Sequence, residues 1–320
     1  MVSHVTPRPV TRRQRAVRLM EGTRKARVAK LAGLAGLVAV AASGCSTDEV
    51  LRFGWPVGIT PQADSMRDLW TWSVVAALAV GLVVAILILW PVVFHRKRSE
   101  ELPKQLQYNH PLEIVYTVIP VVIVAVLFYF TATTENYVTD KSHTPDVTVD
   151  VIGFQWNWDF KYENTKGPDG NPVSTVGSSS EIPLLVLPTN KWIQYNLLST
   201  DVIHSFWVPA FNFKRDVFPD PDKNNQDSSF QNTIDQKGAF VGHCAELCGA
   251  YHSAMNFEVR ALPDEEFQQY IQLREKVNPK TGKGYTAAEA LAQMNCGDLC
   301  APLATTTHPF NTDRTSRTGS

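Results

Sequence analysis

No internal repeat divides the 320 residues, and five cysteines are few enough to be followed one by one. Net charge is almost absent as well: 30 Lys and Arg face 31 Asp and Glu, leaving −1. That near-absence conceals a split, because residues 1–44 hold nine Lys and Arg against the single Glu21, a sum of +8, so the remainder carries −9. Charge is missing altogether from Leu69 to Trp90, 22 residues reading LWTWSVVAALAVGLVVAILILW. Such a run excludes a buried hairpin of a water-soluble protein. Helical periodicity is lacking from about Asp146 to Pro263, which excludes a helical bundle for that part of the chain.

What is present begins as an export signal. Arg12, Arg13, Arg15, Arg18, Arg24, Lys25, Arg27 and Lys30 precede the apolar run LAGLAGLVAVAA and then small residues ending in Cys45. The apolar run is too short to span a bilayer. Ala42-Ser43-Gly44-Cys45 resembles a bacterial lipoprotein box, cut before a cysteine whose sulfur is acylated, although Ala42 stands where Leu is commoner. Lipidation of Cys45 is the expectation, with plain cleavage nearby or an uncleaved anchor as the alternatives.

Two spans follow. At ~1.5 Å rise per residue Leu69–Trp90 crosses a hydrocarbon layer of ~30 Å. Ile114–Phe130 (IVYTVIPVVIVAVLFYF) is shorter and still sufficient. The loop between them carries HRKRS, His95 to Ser99, and Lys104. Positive charge in a short loop marks the cytoplasmic side, so the residues before Leu69 and after Phe130 face outward.

From Asp146 onward VTVDVIGFQWNWDFKY and EIPLLVLPTNKWIQYNLLSTDVIHSFWVPAFNF are rich in β-branched and aromatic residues and punctuated by Pro, Gly and Asn. These read as strands of a β-sandwich or barrel of about 115 residues. TKGPDGNPVSTVGSSS, from Thr165, reads as a loop by composition. A helix at PDEEFQQYIQLREK and a polar tail close the chain.

Chemistry concentrates in GHCAELCGAYHSAM, Gly242 to Met255, where Cys244, Cys248, His252 and Met255 crowd one loop. In an oxidising compartment two nearby cysteines alone read as a disulfide. The neighbouring imidazole and thioether favour copper instead, since soft thiolate and thioether beside His is the donor set of cupredoxin-type electron-transfer sites. Zinc competes but rarely takes Met. One loop cannot surround an ion, and His204 in DVIHSFWVP is the candidate from elsewhere; its bland reading is a core histidine. Two Cys, two His and one Met are too many donors for a trigonal copper with one weak axial group, and they suit two coppers bridged by both sulfurs. Sharing one electron over two metals keeps bond lengths nearly constant, so transfer is fast.

CAELCGAYHSAM matches, at every ligand position, the dinuclear copper loop Cys-x-Glu-x-Cys-Gly-x-x-x-His-x-x-Met of subunit II of haem-copper cytochrome c oxidases, and over roughly residues 65–262 the chain resembles that family. The resemblance implies a membrane-anchored all-β protein, a two-helix transmembrane hairpin followed by a cupredoxin-like β-sandwich; the C-terminal helix and tail lie outside it. Together with the export signal and the tail read from the residues themselves, it divides the chain into a signal (1–44), an extracytoplasmic segment (45–68), the hairpin (69–131), the copper domain (132–262) and the tail (263–320). One copper would take His204 and Met255, the other His252 and the Glu246 carbonyl, and both would share Cys244 and Cys248. The Glu246 carboxylate would also hold a magnesium or manganese ion at the boundary with subunit I. Trp156 in FQWNWDF would receive electrons from cytochrome c, while Trp158 keeps the reading of core packing. Glu113, seven residues before Pro120, matches a glutamate at the cytoplasmic mouth of a proton-uptake channel; an acid at a helix start is equally a cap.

The implied function is that of an oxidase subunit in the bacterial plasma membrane, multi-pass, with its copper domain outside. It would accept electrons from a c-type cytochrome, soluble or tethered, and pass them to haem held in subunit I, where oxygen reduction is coupled to proton pumping. Its partners are subunit I, the other oxidase subunits and lipid. Between Asp146 and Glu266 stand seventeen Asp and Glu against eight Lys and Arg, an acidic surface suited to steering a basic donor. Two features depart from the family. VFPDPDKNNQDSSFQ replaces its usual Pro-Gly-Arg turn after NFKRD, and Cys296 and Cys300 in CGDLC have no counterpart. A disulfide between these two is expected, although four-residue spacing within an α-helix is poor geometry for it; a second metal site could draw only on His308. Two other classes compete: a lipoprotein that binds or delivers copper without electron transfer, and a structural subunit with a disulfide in place of metal.

Overall fold

The computed structural model describes residues 52–96, 100–102, 105–178, 181–223 and 225–306. The export signal, Cys45, most of the basic loop and His308 lie outside the described residues.

Helix α1 (Pro61–Phe94) and helix α2 (His110–Val138) are both long and apolar enough to cross a membrane. Each outruns its charge-free stretch. The 34 residues of α1 extend about 50 Å at ~1.5 Å per residue, well beyond a ~30 Å hydrocarbon layer. Caps set the true starts: Thr60 accepts the Ala63 N–H at 3.0 Å with Pro61 in the first turn, and Asn109 accepts the Leu112 N–H at 3.3 Å with Pro111 behind it. The segment leading into α1 is stitched to the outer domain. Ile59 N–H donates to the Ala210 carbonyl and the Ile59 carbonyl accepts from Asp235, both at 3.0 Å. Beyond α2, Lys141 reaches Asp227 at 2.7 Å, and the His143 ring stacks on Trp192 at 3.6 Å.

Two five-stranded sheets follow, as the alternating β-branched and aromatic residues require. The first runs β3-β2-β1-β5-β8: β1 (Val147–Phe154), β2 (Asn157–Lys166), β3 (Pro172–Val176), β5 (Ile193–Ser199) and β8 (Ser229–Asn232). The second runs β4-β10-β9-β6-β7: β4 (Leu184–Pro188), β6 (His204–Val208), β7 (Phe213–Val217), β9 (Gly238–Cys244) and β10 (Asn256–Leu262). Inward residues of both sheets meet in an aromatic core. Trp158, Phe160, Tyr195, Phe206 and Phe257 are buried there, with Phe206 stacked on Phe257 at 4.7 Å. Trp158 is a core residue, as its sequence context suggests.

One expectation needs correction. Thr165 and Lys166 end β2, and Pro172–Val176 form β3 at the edge of the first sheet, so the stretch read as loop contains strand. Proline is tolerated there because the first residue of an edge strand need not donate to a neighbour. The C-terminal helix is present, and the tail beyond it carries further structure. After α3 (Asp264–Arg274) it forms α4 (Ala287–Ala292), whose Thr286 and Glu289 make a reciprocal cap, and it continues over the sandwich to Thr306. Cys296 and Cys300 are disulfide-bonded with 5.3 Å between Cα atoms, within the usual range. The geometric objection lapses because the turn Gly297–Cys300 is a 3₁₀ helix, not an α-helix.

Candidate metal centre

Backbone pairing assembles the centre from two strands and the loop after β9. Phe206 of β6 sits opposite Cys244 of β9, which brings the start of β6 and His204 to the mouth of the loop. The loop is closed by its own ends: Cys244 N–H donates to the Met255 carbonyl at 3.0 Å, and Ala245 N–H to the Ser205 carbonyl at 3.0 Å. His252 N–H donates to the Gly249 carbonyl at 3.2 Å. Cys248, His252 and Met255 are thereby folded back toward Cys244.

The side chains converge. The two sulfurs stand 3.8 Å apart, far longer than a disulfide of ~2.05 Å, and both thiols are buried. His204 places Nδ1 3.8 Å from the Cys244 sulfur, and the Glu246 carbonyl oxygen lies 3.3 Å from the same atom. On the other side, His252 Nδ1 is 3.6 Å and the Met255 sulfur 3.8 Å from the Cys248 sulfur. Each sulfur has one imidazole nitrogen and one weaker donor beside it. Ligand atoms of His204, Cys244 and Cys248 all fall within 4.8 Å of one another. His204 and Met255 are wholly buried, whereas His252 and Glu246 are half-buried.

Supporting contacts orient these groups. His204 directs Nε2 to Asp201 Oδ1 at 2.8 Å, so the Nε2 proton is held there and the Nδ1 lone pair faces the sulfurs. Asp201 is itself fixed by the N–H groups of Gln155 and Val202, each at 2.7 Å. Gly153 permits the approach: a Cβ on it would stand 3.0 Å from the His204 ring. Neither Asp201 nor Gln155 was singled out from the sequence. The signal that could have found Asp201 is an acid three residues before a candidate ligand histidine.

Electrostatics follow from the crowding. Burial would raise the Cys244 thiol, but the His204 ring and the backbone N–H of Ser205 help bring it down to about 7. Burial and the charge on Cys244 beside it push the Cys248 thiol up to about 12. The first thiolate therefore forms easily, while the second needs a cation to displace its proton, as binding of a thiophilic metal does. Burial lowers the His204 imidazolium, yet the Cys244 sulfur and Asp201 carboxylate outweigh it and hold it above the ordinary value.

Trp156 lies above the loop. Its indole N–H donates to the Cys248 carbonyl at 3.1 Å, Gln155 Nε2 donates to the same oxygen at 2.8 Å, and Tyr251 meets the indole edge-on at 4.9 Å. Gly249 adopts φ +122°, and a Cβ there would stand 3.0 Å from Trp156 Nε1. Glu113 is far along the chain, in the first turn of α2. Its carboxylate accepts the Asn109 N–H at 3.0 Å and faces His110 Nδ1 at 3.3 Å, the geometry of a helix cap.

Comparison with known proteins returns the same assignment from two sides. Residues 147–262 match the family "Cytochrome C oxidase subunit II, periplasmic domain", and residues 49–132 match "Cytochrome C oxidase subunit II, transmembrane domain". A Nocardia farcinica protein named "Probable cytochrome c oxidase subunit 2" is 49% identical over 87% of this chain and 86% of its own. The cytochrome c oxidase subunit 2 of Mycobacterium tuberculosis is 44% identical, covering 86% of each chain. Among solved structures, the periplasmic domain of subunit II of cytochrome oxidase (CoxB) of Bradyrhizobium japonicum is 28% identical, covers 41% of this chain and 94% of that one, and has a TM-score of 0.34.

Proposed function

The chain belongs to the cytochrome c oxidase subunit II family, and from that premise we propose that it is the electron-input subunit, taking electrons from a c-type cytochrome at a dinuclear copper centre and passing them to haem in subunit I. The observation that carries this reading is the convergence of three further side-chain donors and one carbonyl around two unbonded sulfurs 3.8 Å apart. That set fits two bridged coppers better than one, because each sulfur already has its own nitrogen and its own weak donor. When bound, the coppers supply a one-electron couple with little change in bond length.

Cys244 and Cys248 would bridge both metals, and a donor beside one bridging sulfur can serve either metal. The family's pairing puts His204 with Met255, and His252 with the Glu246 carbonyl. The half-buried Glu246 carboxylate would face subunit I and hold the magnesium or manganese ion. Asp201 keeps the His204 Nε2 proton away from the metal side. Trp156, bonded to the backbone of a bridging cysteine, offers a short path from a docked donor. The acidic surface would steer that donor at a salt-dependent rate. Glu113 would serve proton uptake once subunit I covers α2, exchanging its cap contacts for that role.

Stopped-flow mixing of the copper-loaded chain with a reduced c-type cytochrome tests the reading. Oxidation of one cytochrome per chain is expected. A copper-delivery protein would instead surrender metal to a chelating acceptor and leave the cytochrome reduced.

A further inference from the structure

Glu258 and Arg260 lie on β10, three and five residues past Met255, and both are wholly buried. Phe257 and Val259 point into the core, so by strand alternation the charged pair occupies the opposite face. A buried ion pair is tolerated only when its remaining donors and acceptors are met. Arg260 Nε meets Glu258 Oε1 at 2.5 Å, and every other side-chain partner given by the structure comes from the C-terminal segment. Arg260 Nη1 donates to the carbonyls of Leu299 at 2.8 Å and Ala301 at 3.1 Å, and Nη2 to that of Leu303 at 2.8 Å. Glu258 Oε2 accepts from Thr305 N–H at 2.7 Å and from Thr306 N–H and Oγ1–H at 2.6 Å each. Residues 299–306 are thus a strap lying over the back of the strand that follows Met255.

The strap starts at the Cys296–Cys300 disulfide. A ring this short gains little from loop closure. Its effect is local: it pins the Leu299 carbonyl and the turn on which Ala301 N–H donates to Asp298 at 3.2 Å. The two sulfurs differ in access, since Cys300 is buried and Cys296 is only half-buried. We propose that the Cys296–Cys300 disulfide is a reducible fastener, and that a dithiol opens it and releases residues 299–306 from Glu258 and Arg260. A thiolate of the dithiol attacks the more accessible Cys296 sulfur, and Cys300 leaves as a thiolate and takes up a proton. The second thiol then displaces Cys296 and closes the reductant's own disulfide, so two electrons pass to this chain. Arg260 and Glu258 then lose their ordered partners, and water reaches the back of β10.

Hydrogen exchange on the full-length, metal-free chain in detergent tests this, with Thr305 and Thr306 amides as reporters and Val151 of central strand β1 as control. Untreated protein is compared with protein reduced by dithiothreitol and with the Cys296→Ser/Cys300→Ser variant. At least tenfold faster exchange at both threonines, with Val151 unchanged, is the expected result in the reduced protein and in the variant alike. Equal protection in all samples, or loss at Val151 together with the strap, would overturn the proposal.

Discussion

His204 turns Nε2 to the Asp201 carboxylate at 2.8 Å and Nδ1 toward the Cys244 sulfur at 3.8 Å, so one imidazole is committed at both nitrogens. Removing the carboxylate charge loosens that commitment without emptying the space. Asp201→Asn is expected to fold and to keep both sulfurs in place, yet to bind copper about 10- to 100-fold more weakly. A competitive titration against a chelator of known affinity measures this; unchanged affinity would remove Asp201 from the centre.

Trp156 and Gln155 both donate to the Cys248 carbonyl, at 3.1 and 2.8 Å. Trp156→Phe therefore leaves that oxygen with one donor and the loop intact. Reduction by cytochrome c should slow roughly tenfold or more, about 1.4 kcal/mol of barrier, while the copper spectrum stays the same. Wild-type kinetics in this variant would take Trp156 off the route.

Gly249 has φ +122° with the Trp156 indole nitrogen 3.0 Å from where a Cβ would be. Gly249→Ala should cost about 1–3 kcal/mol through backbone strain, and should displace the indole as well. Thermal unfolding and indole fluorescence report the two effects separately. A stable variant with unmoved fluorescence would contradict the reading.

Asp227 ties Lys141, just past α2, to the sandwich, with Arg215 on its other oxygen. Partial burial raises its carboxyl, but Lys141, the Ser229 N–H and Arg215 prevail and hold it below the ordinary 3.8. A depressed acid stabilises fully above its unfolded value and loses that contribution as pH falls through the folded one. Because the pair is solvent-exposed, the effect is at most ~1 kcal/mol. The stability gap between wild type and Asp227→Asn should therefore be present at neutral pH and close below about pH 4. A gap that persists at pH 2 would refute this.

The sandwich and the hairpin were readable because their signals are periodic and local: a charge-free run for α1, and β-branched and aromatic alternation for β1, β2 and β4–β6. The donor-rich loop was readable because its Cys, His and Met residues sit close in sequence. His204 needed only an unusual donor count. Asp201 and Gln155 were not readable, since their roles depend on which atoms the fold brings within hydrogen-bond reach. Pro172–Val176 was hidden by its turn-rich composition, because an edge strand borrows its stability from β2. The strap over Glu258 and Arg260 was hidden more deeply. Two charges in a strand look like a solvent face until residues 299–306 are seen to cover them.

Copper content and the electron paramagnetic resonance spectrum, recorded together on the purified oxidised chain, test the central claim most directly. Two copper atoms per polypeptide and a seven-line hyperfine pattern, from one unpaired electron shared by two copper nuclei, are the expected result. One copper with a four-line pattern, or a native disulfide between Cys244 and Cys248 with no signal, would contradict it.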